Sequence, residues 1–100
     1  MLFRSSELLP DSIQAHFLYG LELGRDGKFA GATAQFREAV RIKPDMPESR
    51  LNLGIALSQE GNYPAALEQF DKVLAQNPTN AIALNYAQTL RQKLSATQPR

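Results

Sequence analysis

One fixed interval, the distance from Gly20 to Gly54, constrains this chain more than any other feature. Gly20 recurs as Gly54, Gly27 as Gly61, Phe29 as Tyr63, Ala32 as Ala66, Phe36 as Phe70 and Pro44 as Pro78, and the same interval separates every pair. A fixed period of this order, within the range of roughly 20–50 residues, is the signature of a unit that cannot bury its apolar surface alone and does so by stacking on copies of itself. The clearest copy is the stretch 53–70, which reads as two amphipathic helices folded back on each other across Gly61-Asn62. Gly54 and Ala66 are the small residues expected to let those helices approach closely.

The periodicity within each unit is helical, and no stretch alternates as a strand does. Residues 13–25 place Ile13, Phe17 and Leu21 on one stripe with Ala15, Leu18 and Tyr19 beside it. Asp11 or Ser12 is the expected cap. Gly24 weakens this helix by about 1 kcal/mol relative to alanine, and Gly27 is placed to end it in the left-handed conformation. Residues 29–42 follow, with Phe29, Ala32, Phe36, Ala39 and Val40 facing inward until Pro44 stops the helix. Asp45-Met-Pro47-Glu48 then predicts a start, with Asp45 as cap and Glu48 closing a capping box. Helices are expected over 47–60, 63–76 and 81–94, the last capped by Asn80, with Ser95–Arg100 as a mobile tail. The short turns between them require antiparallel neighbours.

This spaced set resembles the tetratricopeptide repeat, whose slots run W-x-x-L-G-x-x-Y, then A-x-x-x-F, then A, then P. The first unit fills them with His16, Tyr19-Gly20, Leu23, Ala32, Phe36, Ala39 and Pro44; the second with Arg50, Leu53-Gly54, Leu57, Ala66, Phe70, Val73 and Pro78. The third begins with Leu84 and Ala87, departs at Gln88 and Arg91, and stops after one helix. Both tryptophan slots are polar, which implies looser packing between units. The fold expected is all-α: helix hairpins stacked as a right-handed solenoid. The divisions are an N-terminal segment 1–12, repeats 13–46 and 47–80, a capping helix 81–94 and a tail 95–100. Pro10 lies in phase with Pro44. Residues 1–9 thus read either as the end of an earlier helix packed on the first unit or as a frayed terminus.

Function is constrained mostly by what is missing. The chain of 100 residues has no cysteine, one histidine and a net charge of +1. Thiol chemistry and thiolate metal sites are excluded, and a reducing, cytoplasmic setting is expected. His16 has no second histidine with which to share a metal, and packing is the commoner role for a lone helical histidine. Gly20, Gly24 and Gly27 fall within and at the end of a helix instead of after a strand, so no phosphate-cradling loop is read there. Neither Ser49 nor Ser58 has a base beside it. No catalytic residue, cofactor or metal is therefore expected, and the chain does not read as an enzyme. Nucleic acid calls for a clustered basic excess that the sequence lacks. No apolar run approaches the ~20 residues that span a bilayer, and Met1–Glu7 does not read as a secretory signal.

The resemblance implies a concave face built from the first helix of each unit. On it fall Phe17, Leu21, Leu51, Asn52, Ile55, Ile82, Asn85 and Tyr86, the expected partner-binding residues. Phe17, Leu21, Leu51, Ile55 and Ile82 are large and apolar, and an apolar surface of this kind marks an interaction site. Some members of the family grip a terminal carboxylate on this face with lysine, arginine and asparagine; only Asn52 fits that set here. The expected function is binding of a protein partner, as a peptide or amphipathic helix, in an apolar groove. The alternative is a self-associating or spacer segment of a larger protein, a homodimer being one form.

Overall fold

The computed structural model describes residues 13–97, and the expectations for residues 1–12 lie outside that range. Five helices follow in order: α1 (Ile13–Arg25), α2 (Phe29–Ile42), α3 (Pro47–Gln59), α4 (Tyr63–Gln76) and α5 (Ala81–Thr97). Among the described residues there is no strand. Each helix packs on the next, and α1 also touches α3. This is a hairpin, a second hairpin stacked on the first, and a closing helix.

The turns inside the two hairpins are the same device used twice. Gly27 has φ +79° and Gly61 φ +86°, which glycine adopts without steric penalty. Around Gly27, the Lys28 N–H donates to the Leu23 carbonyl at 2.8 Å and the Gly27 N–H to the Gly24 carbonyl at 3.1 Å. Around Gly61, Asn62 donates to Leu57 at 2.9 Å and Gly61 to Ser58 at 3.0 Å. Both pairs satisfy carbonyls that a helix end would otherwise orphan, in the Schellman pattern.

Helix starts correct the sequence reading in one place. Met46, not Asp45, is the N-cap of α3, and no side chain caps it. Pro47, with its preset φ and missing N–H, begins the helix. Glu48 then falls too early to close a capping box. At α5 the expectation holds: Asn80 Oδ1 accepts the Ala83 N–H at 3.0 Å. That helix runs to Thr97, beyond the expected end at Leu94. Ser95, Ala96 and Thr97 contain no breaker, and the first residue that disfavours continuation is Pro99. Helix α3 ends at Gln59, just short of the expected Glu60.

The core runs between the layers through Phe36, Leu53, Leu57, Ala66, Phe70, Val73, Ala83, Ala87 and Leu90. Gly54 does allow a close approach, and the atoms nearest the place of its missing side chain are those of the Phe70 ring. A Cβ on Gly54 would lie 2.7 Å from Phe70, and one on Gly20 would lie 2.7 Å from Phe36. The glycine of each first helix is thus the seat for the phenylalanine of its own second helix. The polar tryptophan slots are also occupied productively. His16 Nδ1 donates to Gln35 Oε1 at 2.7 Å, and Arg50 Nη1 to Gln69 Oε1 at 3.2 Å. The two pairs are themselves one repeat apart, so each hairpin is tied by a polar contact at the same position.

Candidate functional site

The eight expected partner residues divide into three groups. Leu21, Asn52 and Ile55 meet at a cleft of about 180 Å³ between α1 and α3, floored by Ala32 and Phe36. Phe17 and Leu51 are half-buried and pack against the core from its edge. Phe17 stands edge-on to Phe36, with ring centroids 6.0 Å apart and planes at 67°. Ile82, Asn85 and Tyr86 belong to α5. Ile82 is exposed, while Asn85 and Tyr86 line a shallower depression with Thr89. The structure therefore joins three of the eight in one concavity and leaves the others along its flanks.

The cleft follows from what α1 omits. Gly20 and Gly24 lie one turn apart and contribute no side chain, so the cleft runs down between the helices to Phe36 and Ala32, which are buried at its base. Gly20 must be small because Phe36 sits on it. Gly24 has no such demand: a Cβ there would meet only Ala32 Cβ at 3.9 Å, an ordinary contact. No lining residue is charged. Asn52 does not reach across the floor, because its Nδ2 donates to the Glu48 carbonyl one turn earlier at 3.0 Å.

Leu18 belongs beside these residues, although the sequence reading set it only beside the apolar stripe of its helix and not among the partner residues. It is exposed and lies one period before Asn52 and two before Tyr86. Counting back from either residue would have found it.

The one histidine and Ser58 make contacts within the scaffold. His16 is engaged with Gln35, and Ser58 Oγ donates to the Gly54 carbonyl at 3.0 Å. Among the described residues no group of acidic, histidine or cysteine side chains could hold a metal, and no helix is long and apolar enough to cross a membrane. Two contacts of charged side chains elsewhere tie layers together. Thr33 Oγ1 donates to Glu60 at 2.9 Å across the two hairpins, and Arg91 pairs with Asp71 at 2.6 Å between α4 and α5.

The family model of the tetratricopeptide repeat matches residues 25–94. The chain belongs to the tetratricopeptide repeat family. Tetratricopeptide repeats generally mediate protein–protein interaction and are typically non-catalytic. No curated protein matches the chain. Within a tetratricopeptide repeat the recurring residues serve the scaffold, which is what Gly54, Phe70 and Ala66 do here. Leu18, Asn52 and Tyr86, by contrast, stand at one position of the period and differ from unit to unit.

Proposed function

We propose that this chain is a non-catalytic interaction module that binds a peptide or amphipathic helix through apolar contacts along α1, α3 and α5. The observation that carries the reading is the uncharged cleft between α1 and α3, walled by Leu21 and Ile55 over Phe36. Phe17, Leu51, Asn52, Ile82, Asn85 and Tyr86 extend the surface on either side. An apolar side chain leaving water for such a site contributes roughly 1.5–3 kcal/mol when fully buried, so two or three anchors suffice for micromolar binding. A protein partner fits this surface, whereas nucleic acid or a bilayer would call for charge or a longer apolar face. A cytoplasmic setting accords with the absence of cysteine.

Selection of a displayed random-peptide library on the full chain tests the reading. Enriched peptides are expected to carry spaced apolar residues and to lose binding to Leu51→Glu and to Ile55→Glu, with the helical circular dichroism of both variants unchanged. Peptides that bind both variants as well as the parent would take the groove out of the account.

One observation favours self-association or a place within a longer stack. Tyr19 is 53% exposed in a slot that is buried in both later units, so a further helix of another copy or another repeat fits against that side of α1. Light scattering over a concentration series tests the homodimer form, and a monomer throughout removes it.

A further inference from the structure

Among the described residues, one side of α1 lacks the layer that covers the same side of α3 and of α5. Tyr19 and Glu22 stand one period before Leu53 and Ala56 and two before Ala87 and Leu90. The four later residues are at most 3% exposed, whereas Tyr19 is 53% exposed and Glu22 is exposed. This side is distinct from the cleft, because Tyr19 and Leu21 lie about 200° apart around the helix.

The cover on the later units has a fixed register. The Thr33 hydroxyl donates to Glu60 at 2.9 Å and Arg50 Nε to the Pro44 carbonyl at 3.1 Å, which sets the end of α2 beside the start of α3. Arg91 and Asp71 set α4 on α5 in the same way. In this register Ala39 and Val40 come beside Leu53, and Val73 and Leu74 beside Ala87; all four are buried or packed against the core. Their sizes compensate: the alanine slot meets valine and leucine, and the leucine slot meets alanine and valine. Close-packed layers favour such trades, since missing or added volume is destabilising. One period before Ala39 and Val40 stand Ser5 and Ser6, the smallest of the three pairs, and the slot they face on α1 holds Tyr19, the largest of the three residues.

We propose that residues 2–9 of this chain form two helical turns that pack over Tyr19, as the second half of α2 packs over Leu53. Other slots agree. Leu2 stands one period before Phe36 and two before Phe70, and Pro10 stands likewise before Pro44 and Pro78. Glu38 and Arg41 form an exposed pair at 2.9 Å on α2, and one period earlier are Arg4 and Glu7, the same pair with its charges exchanged. In a helix Leu2, Ser6 and Leu9 fall on one stripe, with Arg4 and Glu7 off it. The serine hydroxyls beside the ring offer the Tyr19 phenol the hydrogen-bond partner that a buried tyrosine needs. Glu22 argues against a longer cover. A full helix laid on α1 as α2 lies on α3 would bury this carboxylate where Ala56 and Leu90 are buried, and an unpaired buried charge is costly. Two turns that end level with Glu22 leave it in water. This side of α1 is then filled from within the chain, without a second copy or a further repeat, and the groove on the other side stays free.

Nuclear Overhauser effects between the Tyr19 ring and the β-protons of Ser5 and Ser6 test the contact in the full chain. They are expected within one chain, as an isotope-filtered mixture of labelled and unlabelled protein distinguishes. Their absence, or their appearance only between chains, would overturn the assignment. Thermal unfolding supplies a second test. Tyr19→Ala should lower the melting temperature by roughly 5 °C or more, whereas an uncovered surface residue would barely change it. Ser5→Val with Ser6→Leu, which overfills the space beside the ring, should lower it as well. All three substitutions together copy Val73, Leu74 and Ala87 into the first layer and should recover most of the loss. Losses that simply add, or a Tyr19→Ala variant as stable as the parent, would remove the cover. The melting temperature is expected to be independent of chain concentration; a rise with concentration would assign the face to a second copy instead. Leu51→Glu and Ile55→Glu, which test the groove, should leave the Tyr19 contacts in place, so either reading can fail without the other.

Discussion

Tyr19, Leu53 and Ala87 occupy one slot in three successive units, yet Tyr19 is 53% exposed while Leu53 is 3% and Ala87 0% exposed. The slot faces the helix that precedes the unit. Helix α2 covers it in α3 and helix α4 covers it in α5, whereas no described helix lies on that side of α1. The phenylalanine seats differ in the same direction. Phe70 is 0% exposed between Gly54 and Tyr86, and Phe36, at the base of the cleft, is 3% exposed. Burial in a stacked chain is thus conferred by the neighbouring layer and not by the slot, and the first hairpin is the looser and more available of the two.

The largest test of this contrast is removal of the rings. Phe70→Ala should cost about 3–5 kcal/mol, the usual range for a buried phenylalanine. Phe36→Ala should cost less, since its hairpin has a described layer on one side only and that of Phe70 has one on each side. Denaturant unfolding of both variants measures the difference, and equal losses would break the comparison. Next come the glycine seats. Gly54→Ala forces a Cβ to 2.7 Å from a ring that Tyr86 holds in place, and overpacking of this kind costs about 1–3 kcal/mol. In Gly20→Ala the Phe36 ring can shift toward the cleft, and alanine gains about 1 kcal/mol of helix propensity. The net change there should be near zero, read from the same unfolding curves.

A smaller effect is expected at Ser49. Its hydroxyl is completely buried and has no hydrogen-bond partner, while the other two units have Ala15 and Ala83 in this slot. Leaving such a group unmatched costs about 1–3 kcal/mol, so Ser49→Ala should raise stability by up to that amount in thermal unfolding. The smallest effect concerns pH. The hydrogen bond from Arg41 holds the Glu38 carboxyl below its ordinary value against the opposing effect of desolvation, with the charges of Arg41 and His16 adding to the lowering. A lowered folded-state pKa adds stability above the unfolded-state value and loses it as pH falls through the folded one. The pair is exposed, and such pairs contribute little. Glu38→Gln should therefore leave the melting temperature at neutral pH nearly unchanged and slightly flatten its decline on the acid side.

Helix positions were legible because the chain marks them with glycines and prolines whose backbone preferences are local. Gly27, Gly61, Pro47 and Asn80 act within a turn or two, and no distant partner alters them. The contacts of Gly54 were less legible. The period says which helices meet, but it does not say whether a glycine faces the alanine or the phenylalanine of the opposing helix, since that depends on the rotation of each helix about its axis. The partners of the polar slots were hidden for a related reason. His16 and Arg50 show no partner when read singly, yet Gln35 and Gln69 also stand one period apart, and the paired period signals a paired contact within each hairpin. Leu18 was missed because its neighbours Phe17 and Leu21 already completed a stripe. The cleft itself was invisible, because it arises from a residue that packing does not require, Gly24, opposite a side chain that bonds to its own helix, Asn52.

The helices make their main contacts with neighbours in sequence, and this has a kinetic meaning. Short loops close at little entropic cost, so such a chain is expected to fold quickly. Order can spread from whichever hairpin forms first. The second hairpin, with a layer on each side, is the natural nucleus. Helix α1, held from fewer directions, should then be the last segment to lose amide exchange with solvent as the chain folds, and the first to regain it.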